Sequence, residues 1–298
     1  MKKIACVGTN IHFRQETLDE LNRLGSFTHF NCIPSEDALV EIGRQNDVLI
    51  TWGRVTRRFL DECSHLDGVV FLSTGMDECF ADNQVRTDAE KSSTLFINTP
   101  SAGTIPVAEF CVAAALAALR KLLSPPPGSF GDWQSREFSE IQVGVVGLGA
   151  IGTKVGNYFD RLGMNVVCAR VQKKTLGGGF PREVLLEELF SESDVIVVCL
   201  QLVEATTGII DAELISKMKS NVIFINAARP EIVCSESLQA FMTKSLDARL
   251  IIDGDLDRIG GLQNLPNCIA TPHVAFYSAS ALYRYTDMAC ERVKALVR

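Results

Sequence analysis

The sequence predicts an α/β protein made of two doubly wound parallel-sheet domains, and three observations predict it. Short β-branched runs alternate with amphipathic segments through residues 1–100, the stretch "SPPPGSFGDW" interrupts that pattern, and a second alternation follows. Strand and helix in alternation imply a parallel sheet covered by helices on both faces. The interruption has the proline and glycine content of a linker. A chain of 298 residues is long enough to give each unit its own core.

In the first half, "KIACVG", "THFNCI", "DVLITWG" and "GVVFLS" read as strands, being short apolar or β-branched runs bounded by turn residues. Between them, "TLDELNRLG", "EDALVEIGRQ" and "RRFLDECSHL" carry apolar residues at helical spacing. "NTPSAGTIPVAEFCVAAALAALRKLL" then gives a turn and a helix from Pro106 to Leu123, apolar on nearly every side. Such a helix is expected to be buried all round, as at a domain junction or subunit interface. It also suggests a homodimer, because a twofold interface needs a self-complementary apolar patch. After the linker, "IQVGVVG", "MNVVCA", "DVIVVCL", "NVIFINAA", "ARLIIDG" and "CIATP" read as strands. Helices are expected through "IGTKVGNYFDRLG", "LLEELF", "AELISKMK" and "SLQAFMTKS". The closing "SASALYRYTDMACERVKALV" is a helix too short to form a domain, so it should pack back onto one of the two.

Bulk properties narrow the function. The formal net charge of -7 argues against nonspecific binding to nucleic acid or anionic membrane, since both need basic surface to displace counterions. The ten cysteines are dispersed with no C-x-x-C pair, and most lie in apolar runs, where they act as small buried hydrophobes. The opening "MKKIACVGTN" has too short an apolar core for a signal peptide, and the run from Phe110 to Leu119 is too short to span a bilayer. A soluble, reducing, cytoplasmic setting is the expectation.

"VGVVGLGAIG" places Gly147, Gly149 and Gly152 in G-x-G-x-x-G spacing, directly after a strand and before a helix. In that context the first glycine permits the tight turn, the second lets backbone approach a pyrophosphate, and the third lets helix pack on strand. The helix N-terminus then offers N–H groups to phosphate oxygens. This is the fingerprint of a dinucleotide-binding Rossmann unit. The next strand, "MNVVCAR", ends in Arg170 where an NAD site would place a carboxylate for the ribose hydroxyls, and Lys173 and Lys174 follow. A guanidinium pairs with a 2′-phosphate, so NADP(H) is expected over NAD(H); a solvated basic loop on an NAD enzyme is the plainer alternative.

"IIDGDLDRIGG" sets Asp253, Asp255 and Asp257 on alternate positions, as a calcium loop begins. The sixth and twelfth positions hold Arg258 and Asn264, where such a loop needs glycine and a bidentate glutamate. No metal site is expected here.

With these segments in view, the chain resembles the D-isomer-specific 2-hydroxyacid dehydrogenases over nearly its whole length. The matching stretches are "STGMDE", "NTPSAGTIPVAEF", "VGVVGLGAIG", "LQLVEATTGII", "INAARPEIV", "LIIDG" and "TPHVAFYS", in the family's order. The resemblance implies a flavodoxin-like substrate domain of residues 1–100 plus 275–298, with a Rossmann nucleotide domain of residues 101–274 inserted between. It implies a catalytic arginine at Arg229, which would hold a 2-oxo acid's carboxylate and polarise its ketone. It puts the general acid/base at His273, whose imidazole suits proton transfer near neutral pH. Ala150, Ile151, Thr206, Ala227 and Ala228 would line the cofactor, and Asp253 would accept a hydrogen bond from the nicotinamide carboxamide. Backbone N–H groups around Thr74 and Gly75 would hold the substrate carboxylate, with Trp52, Arg54 and Tyr277 as candidate wall residues.

Three positions depart from the family pattern. Gln201 stands where proline is usual, and Pro230 stands where glycine follows the catalytic arginine. Arg258 occupies the place of the glutamate that supports the catalytic histidine, so a local shift bringing Asp257, or as the alternative Asp255, to face His273 is inferred. The expected activity is hydride transfer between NADP(H) and a small 2-oxo or 2-hydroxy acid of the glyoxylate or hydroxypyruvate type. The alternative is a non-catalytic dinucleotide sensor or corepressor-like scaffold of the same family.

Overall fold

The computed structural model describes residues 1–122, 134–171 and 182–297. The expected linker at 124–133 and the candidate cofactor residue Lys173, with Lys174, lie outside the described residues. Two units emerge, Met1–Gly103 with Tyr277–Arg298, and Thr104–Phe276.

The first unit carries strands β1 (Lys3–Val7), β2 (Ser26–Phe30), β3 (Val48–Thr51), β4 (Gly68–Phe71) and β5 (Leu95–Asn98) in the order β2-β1-β3-β4-β5. Every pairing is parallel. Strands β3 and β4 are buried along their whole length, as a sheet covered on both faces requires. Helices α1 (Gln15–Leu24), α2 (Glu36–Gly43), α3 (Arg57–Glu62) and α4 (Asn83–Glu90) fill the crossovers. Ser35, Thr56 and Asp82 start α2, α3 and α4, their side-chain oxygens accepting from Ala38 N, Phe59 N and Val85 N. The sequence reading did not name α4 or β5. The sequence of α4 buries only Val85 and Ala89, too few apolar positions to set a period.

The closing helix, Ala279–Leu296, packs on α1, β3 and β4 of this unit. Thr17 donates to Asp287 at 2.6 Å, Arg14 pairs with the same carboxylate, and Thr286 donates to the His12 carbonyl at 2.8 Å.

The second unit holds α5 (Thr104–Leu119), α6 (Ala150–Arg161), α7 (Leu186–Glu192), α8 (Ala212–Lys217) and α9 (Ser235–Lys244). Its strands are β6 (Gln142–Val146), β7 (Asn165–Ala169), β8 (Arg182–Glu183), β9 (Val195–Val198), β10 (Ile223–Asn226), β11 (Arg249–Asp253) and β12 (Cys268–Thr271). They run parallel in the order β12-β11-β10-β9-β6-β7-β8. Alternate residues serve opposite cores: Val143, Val145, Val195, Val197 and Ile225 face the layer containing α5 and α6, and Val146, Ile196, Val198 and Phe224 face the layer containing α7, α8 and α9. The strand order reverses between β6 and β9, and ligands of open parallel sheets bind outside the strand C-termini at such a point.

Helix α5 differs from expectation. It ends at Leu119, before a Lys121 with φ of 57°, rather than at Leu123. Within the chain it is not buried all round: Thr104, Val107, Ala108, Cys111, Ala115 and Ala118 form a covered stripe, while Ile105 stays 38% exposed. Apolar composition on every side says that both faces can be covered, not that one chain covers both.

Candidate active site

The loop after β6 shows that its three glycines are needed for different reasons. Gly147 has φ of 97°, a left-handed conformation that side chains resist. A Cβ on Gly152 would overlap the Gly147 carbonyl oxygen, so that position is closed by packing. A Cβ on Gly149 would meet nothing within 4 Å, so this glycine borders open space at the N-cap of α6. The first-turn N–H groups of a helix have no intrahelical acceptor, so Ala150 and Ile151 open α6 beside a space that suits a pyrophosphate. Ala substitutions are therefore expected to separate. Gly152→Ala should lower the midpoint of thermal unfolding by several degrees, whereas Gly149→Ala should leave it in place and weaken nucleotide binding roughly tenfold. Calorimetry and nucleotide fluorescence titration check the two outcomes. Cys199, whose Cβ also lies close to the Gly152 position, is a packing residue: burial pushes its thiol up to about 12, which keeps it protonated.

Three neighbouring strands, β10, β11 and β12, end in the candidate catalytic groups. Arg229 follows β10 and is half-buried, with its Nη1 donating to the Ala228 carbonyl at 2.9 Å. Asn226, buried at the end of β10, holds this segment from below: its Oδ1 accepts from Ala228 N and its Nδ2 donates to the Arg229 carbonyl, both at 3.0 Å. The sequence reading passed over Asn226, although Asn before a turn is a known signal for such bonds. Pro230 starts the short 3-10 turn Pro230–Ile232, where its fixed φ and missing N–H are tolerated.

Asp253 ends β11 and is buried, and its carboxylate accepts from Thr271 Oγ1 at 2.6 Å, Val274 N at 2.7 Å and Ala275 N at 2.8 Å. His273 follows β12 with φ of 53° and its ring lies edge-on to Phe276.

The other aspartates of this loop point elsewhere. Asp255 accepts from the N–H of Asp257 and caps the 3-10 turn Leu256–Arg258, on which Asp257 is exposed. Among the described residues, no hydrogen bond or ion pair joins Asp257 to His273, so the inferred shift is not found. Arg258 of the same turn forms an ion pair with Glu231. Among the described residues, no group of three or more His, Cys, Asp or Glu side chains could hold a metal ion.

At the adenosine end, Arg170 follows β7 and pairs with Glu183 of β8 at 3.7 Å. The guanidinium is half exposed, whereas the Glu183 side chain is 9% exposed. Sequence reasoning missed this carboxylate, which comes from a strand that pairs Cys168 with Glu183 across the sheet. The Thr206 hydroxyl is committed to its own loop, donating to the Gln201 carbonyl at 2.6 Å and accepting from Val203 N at 2.9 Å.

In the first unit, the turn after β4 turns four successive carbonyls onto donors. Thr99 N bonds the Ser73 carbonyl, Asn98 Nδ2 that of Thr74, Ser73 Oγ that of Gly75 and Cys79 N that of Met76. In a planar trans peptide the next N–H points opposite to the carbonyl, so the N–H groups of Thr74, Gly75 and Met76 face away from these donors. Tyr285 of the closing helix holds the Thr74 hydroxyl at 3.1 Å and meets Trp52 edge-on. Arg54 Nε donates to the Glu78 carbonyl at 3.1 Å, and Tyr277 is exposed.

Residues 127–275, half of the chain, match the family model described as "D-isomer specific 2-hydroxyacid dehydrogenase, NAD binding domain". The chain belongs to this family. Among curated members, a hydroxypyruvate reductase of Blautia hydrogenotrophica is 28% identical over 284 residues, covering 88% of this chain and 85% of its own. Solved structures agree in fold. An acyclic imino acid reductase in complex with NADPH and D-Arg superposes with a TM-score of 0.85 at 21% identity, covering 98% of this dehydrogenase-family chain and 96% of its own. A D-lactate dehydrogenase from Aquifex aeolicus, complexed with NAD and lactic acid, gives 0.78 at 23% identity, covering 99% and 95%.

Proposed function

We propose that the protein transfers a hydride between NADP(H) and a small 2-oxo or 2-hydroxy acid of the glyoxylate or hydroxypyruvate type. The observation that carries this reading is the alignment of a guanidinium, a carboxylate and an imidazole at the C-terminal ends of three adjacent strands of one sheet. Family membership and the hydroxypyruvate reductase relative support the substrate class.

Arg229 presents a planar fork of donors, which matches a carboxylate bidentately and can polarise an adjacent ketone oxygen. The family resemblance implies a carboxylate-binding role for backbone N–H groups around Thr74 and Gly75. His273 delivers a proton to the oxygen that develops negative charge in reduction, and takes it back in oxidation. The gain of one hydride at carbon and one proton at oxygen converts a 2-oxo acid to a 2-hydroxy acid. A bound nicotinamide supplies the hydride. Gly147, Gly149, Gly152, Ala150 and Ile151 would hold its pyrophosphate, Ala227, Ala228 and the loop of Thr206 would line it, and Asp253 would orient its carboxamide.

Arg170 favours NADP(H), and Glu183 modulates that preference. A 2′-phosphate must share the guanidinium with a carboxylate, so Glu183→Gln is expected to tighten NADPH several-fold. Arg170→Ala should weaken NADPH roughly tenfold and leave NADH within about twofold, the loss of one charge-assisted contact at an exposed site. Equal effects on both nucleotides would reverse the assignment. Absorbance-monitored oxidation of NADPH and NADH across a panel of 2-oxo acids tests the whole reading. The second reading, a dinucleotide sensor, is favoured by Arg258 in the place of the family's supporting glutamate, and nucleotide binding without turnover on any acid would select it.

The half-exposed outer face of α5 supports a homodimer, which light scattering tests. No described helix is long and apolar enough to cross a membrane, and ten free cysteines support a reducing, cytoplasmic setting.

A further inference from the structure

His273 occupies the left-handed region, with φ of 53°, which is uncommon for a residue with a Cβ. The hydrogen bonds around it identify the constraint. Its N–H donates to the Thr271 carbonyl at 2.9 Å, closing a three-residue turn centred on Pro272, whose ring already holds φ near the value such turns use. Asp253 then brackets the turn. Oδ1 accepts from Thr271 Oγ1 and Val274 N, and Oδ2 accepts from Ala275 N, so the bonds land two residues before His273 and on the two residues after it.

All three partners are donors, and Asp253 is only 2% exposed, so the group at this position must be acceptor-only. An ionised carboxylate meets that demand. An asparagine would turn an NH₂ against one of the donors, leaving a buried mismatch.

We propose that Asp253 is the positioning residue of His273: its carboxylate fixes the turn, and with it the imidazole, separately from any bond it offers a cofactor. This rests on the reading of the chain as a nicotinamide-dependent reductase. Oδ1 carries two of the three bonds and Oδ2 one, which gives Oδ2 a second lone pair for the nicotinamide carboxamide. Cofactor docking and imidazole placement thus meet on one carboxylate, through different oxygens.

Thr271 separates the two roles, because its hydroxyl is bonded to Oδ1. Thr271→Val keeps the shape and removes the hydroxyl, and Thr271→Ser keeps the hydroxyl and removes the methyl. The expected result is a fall in kcat of about five- to tenfold in T271V, the equivalent of one hydrogen bond, with NADPH affinity and the KM of the 2-oxo acid within about twofold. T271S should recover most of that kcat, and T271V should add little to Asp253→Asn, since both act on one network. A merely structural role would lower thermal stability in T271V and leave kcat per folded molecule alone, which would overturn the proposal. So would a loss confined to NADPH affinity, or equal losses in T271V and T271S.

A second readout needs no turnover. The chain has four histidines, and the His273 imidazole signals in a long-range ¹H–¹⁵N spectrum are identified by their loss in His273→Asn. They should move in T271V and return in T271S. Movement without any turnover of a 2-oxo acid would uphold the positioning and overturn the proposed function. Turnover with no movement and no change in kcat would uphold the function and overturn the positioning.

Discussion

Replacing His273 by asparagine is expected to reduce kcat about 10²–10⁴-fold, the usual contribution of a positioned general acid/base, while nucleotide affinity stays within a few-fold of the original. Asparagine is the informative choice. The residue sits at φ of 53°, and asparagine tolerates the left-handed region better than alanine does. The backbone of the turn, its bond from position 273 to the Thr271 carbonyl and the three bonds to Asp253 are all retained, so the chemistry alone is removed. Alanine confounds the result by adding left-handed strain to the loss of the imidazole. The measurement is steady-state turnover of a 2-oxo acid with NADPH, beside a fluorescence titration of the nucleotide. A His273→Asn protein that turns over at the original rate would remove His273 from the mechanism and leave the sensor reading in place.

Position by position, legibility in the sequence followed how local the cause was. The alternation of strands and helices is written in nearest-neighbour pattern, and both sheets appeared where expected, apart from the polar α4 and the edge strands β5 and β8. The glycine spacing was also local, yet it could not say that Gly152 answers to packing and Gly149 to open space. The surroundings of Asp257 were not legible, because Arg258 beside it pairs with Glu231, 27 residues earlier, and no spacing rule links them. Asp253 shows the same limit. Its three partners lie 18 to 22 residues further on and reach it through the pairing of Asp253 with Thr271 between adjacent strands. Glu183 was hidden likewise, since it meets Arg170 across the pairing of β7 and β8. The solvent face of α5 was not legible because the sequence of one chain does not state what covers a helix from outside.

The largest effect on substrate use is expected at Arg229. Two charge-assisted hydrogen bonds to a carboxylate contribute about 1.5–3 kcal/mol each, so Arg229→Ala should lower kcat/KM for a 2-oxo acid by about 10²–10⁴-fold. The guanidinium is not a loose surface charge. Nη1 is tied to the Ala228 carbonyl, Asn226 bonds the backbone on both sides of the Ala228–Arg229 peptide, and Pro230 fixes the chain direction beyond it. A fork held in this way is pre-oriented for a planar anion, and lysine, a flexible point charge, cannot reproduce it. Arg229→Lys should therefore recover no more than about tenfold of the loss, although the net charge is restored. A neutral ketone or aldehyde of similar size separates the two tasks assigned to the residue. If Arg229 acts mainly on the carboxylate, the penalty of R229A is large for the acid and small for the neutral compound. Equal penalties would mean that the guanidinium works on the carbonyl oxygen, where charge develops only as hydride arrives, and kcat rather than KM would then carry the loss.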